Sequence, residues 1–221
     1  MPPAAQRIAL VIDYQNLHLT AADVFLQHRP VEEALIHPVR FGRELARVKS
    51  EANERNGYPP VRLERIEVYR GLPSSEYDHK QYARNLAQRS QWRKDAAVHG
   101  IELAVVHRPL RYHYTWSSDG RRVYDPGRRP QEKGVDVLCA LALTRLARSG
   151  DYQAVVLASR DTDLVPALEE AHREGGRVEA VKWFRKEVPE TRGSLKPQSF
   201  SLWTTSLDEK SFRRSLDENE Y

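Results

Sequence analysis

Short runs of consecutive apolar residues alternate along the chain with longer segments of helical periodicity. The apolar runs are residues 8–12 (IALVI), 66–69 (IEVY), 101–106 (IELAVV), 154–158 (AVVLA) and 178–183 (VEAVKW). Each has the length of a single strand. Because these runs are continuously apolar rather than alternating with polar residues, we expect strands that are covered on both faces, as in a parallel sheet.

Four of the intervening segments predict helices. They are residues 38–55, 77–99, 135–148 and 164–174, and a glycine follows each of them closely. The third (VDVLCALALTRLAR) is apolar nearly all round, so we expect it to be the most buried helix. Strands that alternate with helices indicate βαβ units, and the predicted fold class is therefore α/β with a mostly parallel central sheet.

One segment, residues 108–134, interrupts this alternation. The stretches RYHYTW and RRVY flank Ser117-Ser118-Asp119-Gly120, which is a turn sequence. We therefore predict a basic β-hairpin and loop, inserted at residues 108–132.

The predicted domain covers residues 1–184 and is followed by a C-terminal extension, residues 185–221. Within the extension we expect a short strand at 200–203 and a helix at 206–216.

Composition and charge narrow the classes of function. The 221 residues include 35 Lys and Arg against 31 Asp and Glu, and the net charge of +4 permits a nucleic-acid partner without requiring one. The single cysteine, Cys139, excludes a disulfide framework and a cysteine-based zinc site. No apolar run approaches the roughly 18 residues of a membrane span, and MPPAAQRIALVID lacks the features of a signal peptide. We expect a cytoplasmic protein with no membrane partner.

Aspartates occur where predicted strands end or helices begin. Asp13 ends the first strand, with Asn16 three residues later, and Asp136 lies in the first turn of the apolar helix. Asp161 and Asp163 directly follow the fourth strand. Ligands of open α/β sheets bind at the carboxyl ends of the strands, so these aspartates converge if the first and fourth strands are neighbours.

Clustered carboxylates raise one another's pKa, and a divalent cation relieves that repulsion. Oxygen ligands without Cys or His suit Mg²⁺ or Mn²⁺, and such a site supports phosphodiester hydrolysis. Aspartate is also a common helix N-cap, which is the better explanation for any one of these residues taken alone. Three such positions on one edge of a sheet favour a site.

Three ordered motifs resemble those of NYN-domain proteins, the PIN-like nucleases of the bacterial LabA-like branch. The motifs are Asp13-Tyr14-Gln15-Asn16, Lys133-Gly134-Val135-Asp136 and Ser159-Arg160-Asp161-Thr162-Asp163. The resemblance spans about residues 7–183. It implies a Rossmann-like three-layer α/β/α fold and metal-dependent ribonuclease activity with Mg²⁺ or Mn²⁺ as cofactor.

The resemblance also implies individual roles. The residues that match the family's site are Asp13, Asn16, Lys133, Asp136, Ser159, Asp161 and Asp163. The four aspartates match the metal-binding acids, and Asn16 would orient Asp13 or a water. Lys133 precedes Asp136 by three residues, so both could face the site from a helix, where the lysine meets a phosphate oxygen. The alternative is that Lys133 is a solvated surface lysine.

The third motif departs from the family pattern at Arg160, where glycine is usual. Glycine there would permit a positive φ or a close approach to substrate. Arginine places a cation near the acids, where it binds a phosphate or else blocks or replaces the metal.

The predicted hairpin interleaves aromatic and basic residues in the manner of a single-stranded RNA binder. The candidate RNA-binding residues in this segment are Arg108, Arg111, Tyr112, Tyr114, Trp116, Arg121, Arg122, Arg128 and Arg129. Arg160, outside the segment, is a further candidate. Strand alternation would place the three aromatic residues from 112 to 116 on one face. The alternative is that the rings pack on the domain while the arginines face water.

These observations predict a metal-dependent ribonuclease, an endonuclease that acts on single-stranded or structured RNA. The alternative is a non-catalytic RNA-binding or regulatory module, which Arg160 favours. A phosphatase of the Asp-x-Asp type is disfavoured because Gln15 stands two residues after Asp13. The sequence leaves room for a homodimer and does not fix the oligomeric state.

Overall fold

A central sheet of six parallel strands forms the middle layer of the protein. The computed structural model describes residues 4–221, and within that range the strand order is β3-β2-β1-β6-β7-β8. These strands are β1 (Gln6–Asp13), β2 (Val61–Leu72), β3 (Glu102–Pro109), β6 (Ala154–Ala158), β7 (Val178–Trp183) and β8 (Trp203–Leu207). A separate antiparallel hairpin consists of β4 (Tyr114–Trp116) and β5 (Arg122–Tyr124).

Helices cover both faces of the sheet. They are α1 (Tyr14–Phe25), α2 (Pro38–Arg55), α3 (His79–Val98), α4 (Val135–Ser149), α5 (Val165–Arg173) and α6 (Glu209–Ser215). Short 3-10 turns lie at Val31–Ala34, Thr162–Leu164 and Pro189–Arg192.

Alternate residues of β1 serve two separate cores, because successive side chains of a strand point to opposite faces. Ile8, Leu10 and Ile12 pack in the core that includes residues of α1, α2, α3 and α6. Ala9 and Val11 pack in the second core, against α4 and α5. This double burial explains why the strand is continuously apolar, and it confirms the predicted three-layer α/β/α architecture.

The five predicted strands and four predicted helices are all present, with shifts of a few residues at their ends. The predicted hairpin is also present. Helix α1 was not predicted. It buries Tyr14, Leu17 and Phe25, but small and polar residues between them obscure its periodicity.

The expectation that residues 135–148 form the most buried helix is wrong. In α4, Val137 is 56 % exposed and Leu141 is 60 % exposed. Only one stripe of the helix, which includes Cys139 and Leu143, packs on the sheet. An apolar composition therefore overstated how many faces of this helix have partners.

Residues 185–221 add the sixth strand to the sheet and helix α6 to one of its faces. Strand β8 pairs with β7 from Glu179↔Trp203 to Trp183↔Leu207, which is later in the chain than the predicted strand at 200–203. The predicted helix at 206–216 appears as α6, which is capped by the Asp208 side chain accepting from the Ser211 N–H.

Candidate active site

Two neighbouring strands bring the first and third motifs together. Strands β1 and β6 pair in parallel up to Ile12↔Ala158, as the convergence of the aspartates requires. Asp13 is the last residue of β1, and Ser159 follows β6 directly. Both therefore lie at the carboxyl edge of the sheet, where α/β proteins bind their ligands.

A buried hydrogen-bond network fixes Asp13. The residue is only 7 % exposed. One carboxylate oxygen, Oδ1, accepts a hydrogen bond from the backbone N–H of Asn16 at 3.2 Å. The other oxygen, Oδ2, accepts from the Ser159 hydroxyl at 3.2 Å. The same Ser159 oxygen accepts from the backbone N–H of Asp161 at 3.1 Å, so one serine joins the two aspartate loops.

Three carboxylates act on one another at this edge. Burial raises the pKa of Asp13, while the hydrogen bonds from Asn16 and Ser159 lower it. The negative charges of Asp161 and Asp136 raise the Asp13 pKa further. A cation placed between these groups would oppose that repulsion and favour the ionised form of Asp13.

The second motif reaches the same place from the opposite face of the sheet. Gly134 precedes α4 in a left-handed conformation, with φ of 78°, which glycine adopts without a steric penalty. Asp136 then lies in the first turn of α4. The backbone carbonyl of Lys133 is held by the Arg108 side chain, whose Nε donates to it at 3.2 Å.

An open cleft of ≈ 340 Å³ collects the residues of the three motifs. We call it the carboxylate cleft, and it is lined by Asp13, Gln15, Asn16, Leu19, Glu132, Lys133, Gly134, Val135, Asp136 and Asp161. Five of the seven site residues expected from the sequence line the cleft. A sixth, Ser159, does not line it but supports it by donating a hydrogen bond to Asp13.

Sequence reasoning missed Glu132 as part of this cleft. Its carboxylate accepts a hydrogen bond from the backbone N–H of Gly71. Burial raises the pKa of Glu132, the Gly71 bond lowers it, and the charge of Asp13 raises it again. The only signal in the sequence was the position of Glu132 immediately before the Lys133–Asp136 motif.

The helix-cap alternative holds in part. Asp13 caps α1, and the Asp161 side chain accepts from the Asp163 N–H at 2.9 Å, yet both carboxylates still line the carboxylate cleft. Asp136 does not cap α4, because Gly134 occupies the cap position. Asp163 is exposed and does not line the cleft.

Arg160 does not place its charge among the acids. Its guanidinium donates to the Glu190 carbonyl at 2.7 Å and lines a different depression, which also contains Lys182. Its backbone N–H donates to the Asn16 side-chain oxygen at 2.8 Å. Asn16 therefore contacts Asp13 through its backbone and uses its side chain to hold the loop at Arg160.

The hairpin divides its aromatic residues between packing and exposure. Tyr77, from the loop before α3, stacks on Tyr124 with ring centroids 4.5 Å apart and lies 5.2 Å from the Tyr112 ring. Tyr112 also accepts a hydrogen bond from the Ser74 N–H, so it packs on the domain as the alternative proposed. Trp116, in contrast, is 73 % exposed.

Tyr114 is also partly exposed, and the Arg122 guanidinium lies 4.4 Å from the centroid of its ring. The candidate arginines with exposed side chains are Arg108, Arg111, Arg121, Arg122, Arg128 and Arg129. Most of the hairpin's charge thus faces solvent, while Tyr112 and Tyr124 anchor it to the domain.

The donor set suits a hard divalent cation, but it is not a closed cage. Among residues 4–221 no group of three or more His, Cys, Asp or Glu side chains is close enough to hold a metal ion by itself. Mg²⁺ commonly keeps several waters and uses one or two carboxylates together with substrate phosphate. That mode of binding needs fewer protein carboxylates than the three, Asp13, Asp136 and Asp161, that line the cleft.

No curated protein matches the sequence. The crystal structure of a protein of unknown function from Vibrio parahaemolyticus RIMD 2210633 is 16 % identical, with a TM-score of 0.47, and the alignment covers 95 % of this chain and 97 % of that chain. In the part of the chain that the structure describes, no helix is long and apolar enough to cross a membrane.

The family comparison covers most of the chain. The family model for the NYN domain matches residues 7–196, and this range contains all three motifs. Of the site residues expected from the sequence, it includes all six that line or support the carboxylate cleft. The protein therefore belongs to the NYN domain family.

Proposed function

We propose that this protein is a metal-dependent ribonuclease, and specifically an endonuclease, that hydrolyses RNA at the carboxylate cleft. NYN domains are generally nuclease-like, which makes a nucleic acid the expected substrate. The observation that carries the proposal is the meeting of Asp13, Asp136 and Asp161 in one cleft, where the charges of the last two raise the pKa of the first.

Asp13, Asp136 and Asp161 would hold Mg²⁺ or Mn²⁺. When bound, such an ion supplies an activated water and neutralises negative charge on the phosphate that is attacked. Asp163, which the family pattern suggests as a fourth acid, lies outside the cleft and is left out of this proposal.

The remaining residues position the site and the substrate. Asn16 and Ser159 hold Asp13 by hydrogen bonds, and Ser159 links it to Asp161. Lys133 lines the cleft and is exposed, so its ammonium group can contact a phosphate oxygen of the strand. The exposed Trp116 and the hairpin arginines offer stacking and phosphate contacts that suit unpaired RNA.

A cleavage assay with a matched pair of variants tests this proposal. Labelled single-stranded RNA and DNA of the same sequence are incubated with wild type, Asp136→Asn or Asp151→Asn, in Mn²⁺ or in EDTA. Asp151 is an exposed acid between α4 and β6, outside the carboxylate cleft, so its variant controls for loss of one charge. We expect Mn²⁺-dependent cleavage of RNA by wild type and Asp151→Asn, and none by Asp136→Asn.

Cleavage by Asp136→Asn at the wild-type rate would contradict the proposal, as would cleavage that continues in EDTA. Cleavage of the DNA alone would contradict the choice of RNA. Circular dichroism and thermal melting of the variants check that they are folded.

The non-catalytic alternative loses its main support in the structure. It rested on a cation at Arg160 among the acids, but that guanidinium binds the Glu190 carbonyl instead. RNA binding by the wild type without Mn²⁺-dependent cleavage of any substrate would nevertheless favour it.

A further inference from the structure

A second pocket, lined by two arginines and two glutamates, adjoins the carboxylate cleft. We call it the Arg70 pocket; its volume is ≈ 280 Å³, and its polar lining includes His18, Arg70, Arg84 and Asn85. Gln15 and Glu132 line both this pocket and the carboxylate cleft, so the two share a wall.

Arg70, near the end of β2, packs against neutral groups, and the negative charges of Glu132 and Asp217 act on it from farther away. Its guanidinium carbon lies 4.4 Å from the centroid of the Tyr14 ring and 5.6 Å from that of Trp92. One terminal nitrogen, Nη1, donates to the Gln88 side-chain oxygen at 2.9 Å. Within residues 4–221, Arg70 forms no salt bridge with a carboxylate, so the charge is available to an anion.

Arg84, on α3, adds a second cation to the same pocket. Like Arg70, it forms no salt bridge in the described part of the chain. Burial lowers the pKa of His18, its hydrogen bond to the Ala34 carbonyl and the charge of Glu32 raise it, and the charges of both arginines lower it. Two acids also line the pocket: Glu32 is exposed, and Glu132 accepts a hydrogen bond from the Gly71 N–H.

Asn85 contributes a buried acceptor without a donor. The residue is 4 % exposed, and its Nδ2 group donates to the Gln81 carbonyl at 2.8 Å. Its Oδ1 atom has no hydrogen-bond partner among the described residues. Buried polar groups are normally paired, but a phosphodiester carries only acceptors. The partner of this buried oxygen would therefore be a water or a ribose hydroxyl rather than the phosphate itself.

We propose that the Arg70 pocket binds one phosphate group of the RNA strand whose cleavage site lies in the carboxylate cleft, with Arg70 and Arg84 as its charged contacts. This inference rests on the proposed function and adds a defined anchor for the substrate. A cleft of carboxylates repels a polyanion until a cation binds, so the strand needs a positive contact close by. Arginine is well suited to that contact because its planar donors match phosphate oxygens.

Binding measured without cleavage tests the anchor. A 3′-labelled RNA decamer is titrated in EDTA with wild type, Arg84→Gln and Lys94→Gln at several salt concentrations, and binding is followed by fluorescence anisotropy. Lys94 is an exposed cation on the same helix, outside the pocket, so Lys94→Gln controls for the loss of one charge. Arg84 is used because Arg70 packs on two rings and its replacement can disturb folding.

We expect Arg84→Gln to bind RNA about tenfold more weakly than wild type, because losing one hydrogen bond to a charged group reduces affinity by about that factor. Its slope of log affinity against log salt should fall by about 0.7, the value for one phosphate contact on a single strand. Lys94→Gln should change neither quantity by a comparable amount. Titrating the decamer with and without a 5′-phosphate shows which phosphate the pocket binds. If it is the terminal phosphate, Arg84→Gln weakens binding only of the 5′-phosphorylated decamer. If it is an internal phosphate, Arg84→Gln weakens binding of both decamers.

Equal effects of Arg84→Gln and Lys94→Gln, or an unchanged salt slope in Arg84→Gln, would overturn the anchor. If RNA is cleaved in Mn²⁺ while the slope is unchanged, the anchor fails and the proposed function stands. If the Arg84 effect is found but no cleavage occurs, the anchor stands and the proposed function fails. A wild type that binds no RNA in EDTA and cleaves none in Mn²⁺ overturns both.

Discussion

Replacing Ser159 with alanine separates the two aspartate loops of the carboxylate cleft. The serine is 4 % exposed, donates to Asp13 Oδ2 at 3.2 Å and accepts from the Asp161 N–H at 3.1 Å. A hydrogen bond to a charged group contributes about 1.5–3 kcal/mol and a neutral one about 1 kcal/mol, so Ser159→Ala should cost about 2.5–4 kcal/mol. For 221 residues, the entropy of unfolding converts this into a fall in Tm of about 5–9 °C.

Ser149→Ala is the matched control for this change. The Ser149 hydroxyl also makes two hydrogen bonds, donating to the Leu146 carbonyl at 2.9 Å and accepting from the Asp151 N–H at 3.2 Å. It is exposed at the end of α4, so water replaces both bonds, and we expect a loss below about 0.5 kcal/mol. Thermal melting at pH 8 measures both variants.

The pH dependence distinguishes positioning from a general loss of stability. Burial raises the pKa of Asp13, and the Ser159 bond counteracts part of that rise. Removing the bond raises the pKa further, so Asp13 is protonated at a higher pH, and the acid limb of Mn²⁺-dependent cleavage should move to higher pH.

Stability should follow the same sign. An acid whose folded pKa lies above its unfolded value opposes folding once it is ionised, and that cost disappears as the pH falls through the folded pKa. The Tm deficit of Ser159→Ala should therefore shrink in acid. A Ser159→Ala protein with a wild-type Tm and an unshifted acid limb would refute the role given to this serine.

Other regions of the molecule give three further tests. Lys49 and Glu179 form a buried ion pair, with side chains 2 % and 1 % exposed, so Lys49→Met should lower the free energy of unfolding by about 3 kcal/mol because it leaves Glu179 without this partner. The double variant Lys49→Met/Glu179→Met should lose much less, and equal losses in urea melts would argue against the pair. Trp116 is 73 % exposed, so Trp116→Ala should weaken RNA binding by about 1–3 kcal/mol with no change in Tm, and unaltered anisotropy titrations would show that the ring does not stack on bases. Asp163→Asn should retain Mn²⁺-dependent cleavage, because this acid lies outside the carboxylate cleft; loss of cleavage would restore it as a ligand.

The central strands of this fold were predictable because both of their faces are buried. Residues 8–12 and 154–158 are apolar without interruption, and each serves a core on either side of the sheet. Helix α1 was not predicted because alanines and polar residues separate its buried Leu17 and Phe25. The exposure of Val137 on α4 was not predictable either, since composition does not tell which face of a helix has a partner.

The candidate site was predictable as far as its motifs lie next to strand ends. The aspartates were identified individually, but their meeting depends on the pairing of β1 with β6, which no local pattern encodes. Glu132 enters the cleft through its contact with the Gly71 backbone, which is distant in sequence. Arg70 and Arg84 come from β2 and α3 and share a pocket only because that helix packs beside that strand.

Titration of the protein with Mn²⁺ by calorimetry tests the central claim most directly, because it measures the cation site without assuming any substrate. We expect saturable binding by wild type and by the control Asp151→Asn. Asp136→Asn should bind at least about tenfold more weakly, since even outer groups that orient metal ligands contribute that much to affinity. Equal Mn²⁺ affinity in Asp136→Asn and wild type, or no binding by wild type, would contradict the claim that these aspartates form a divalent cation site.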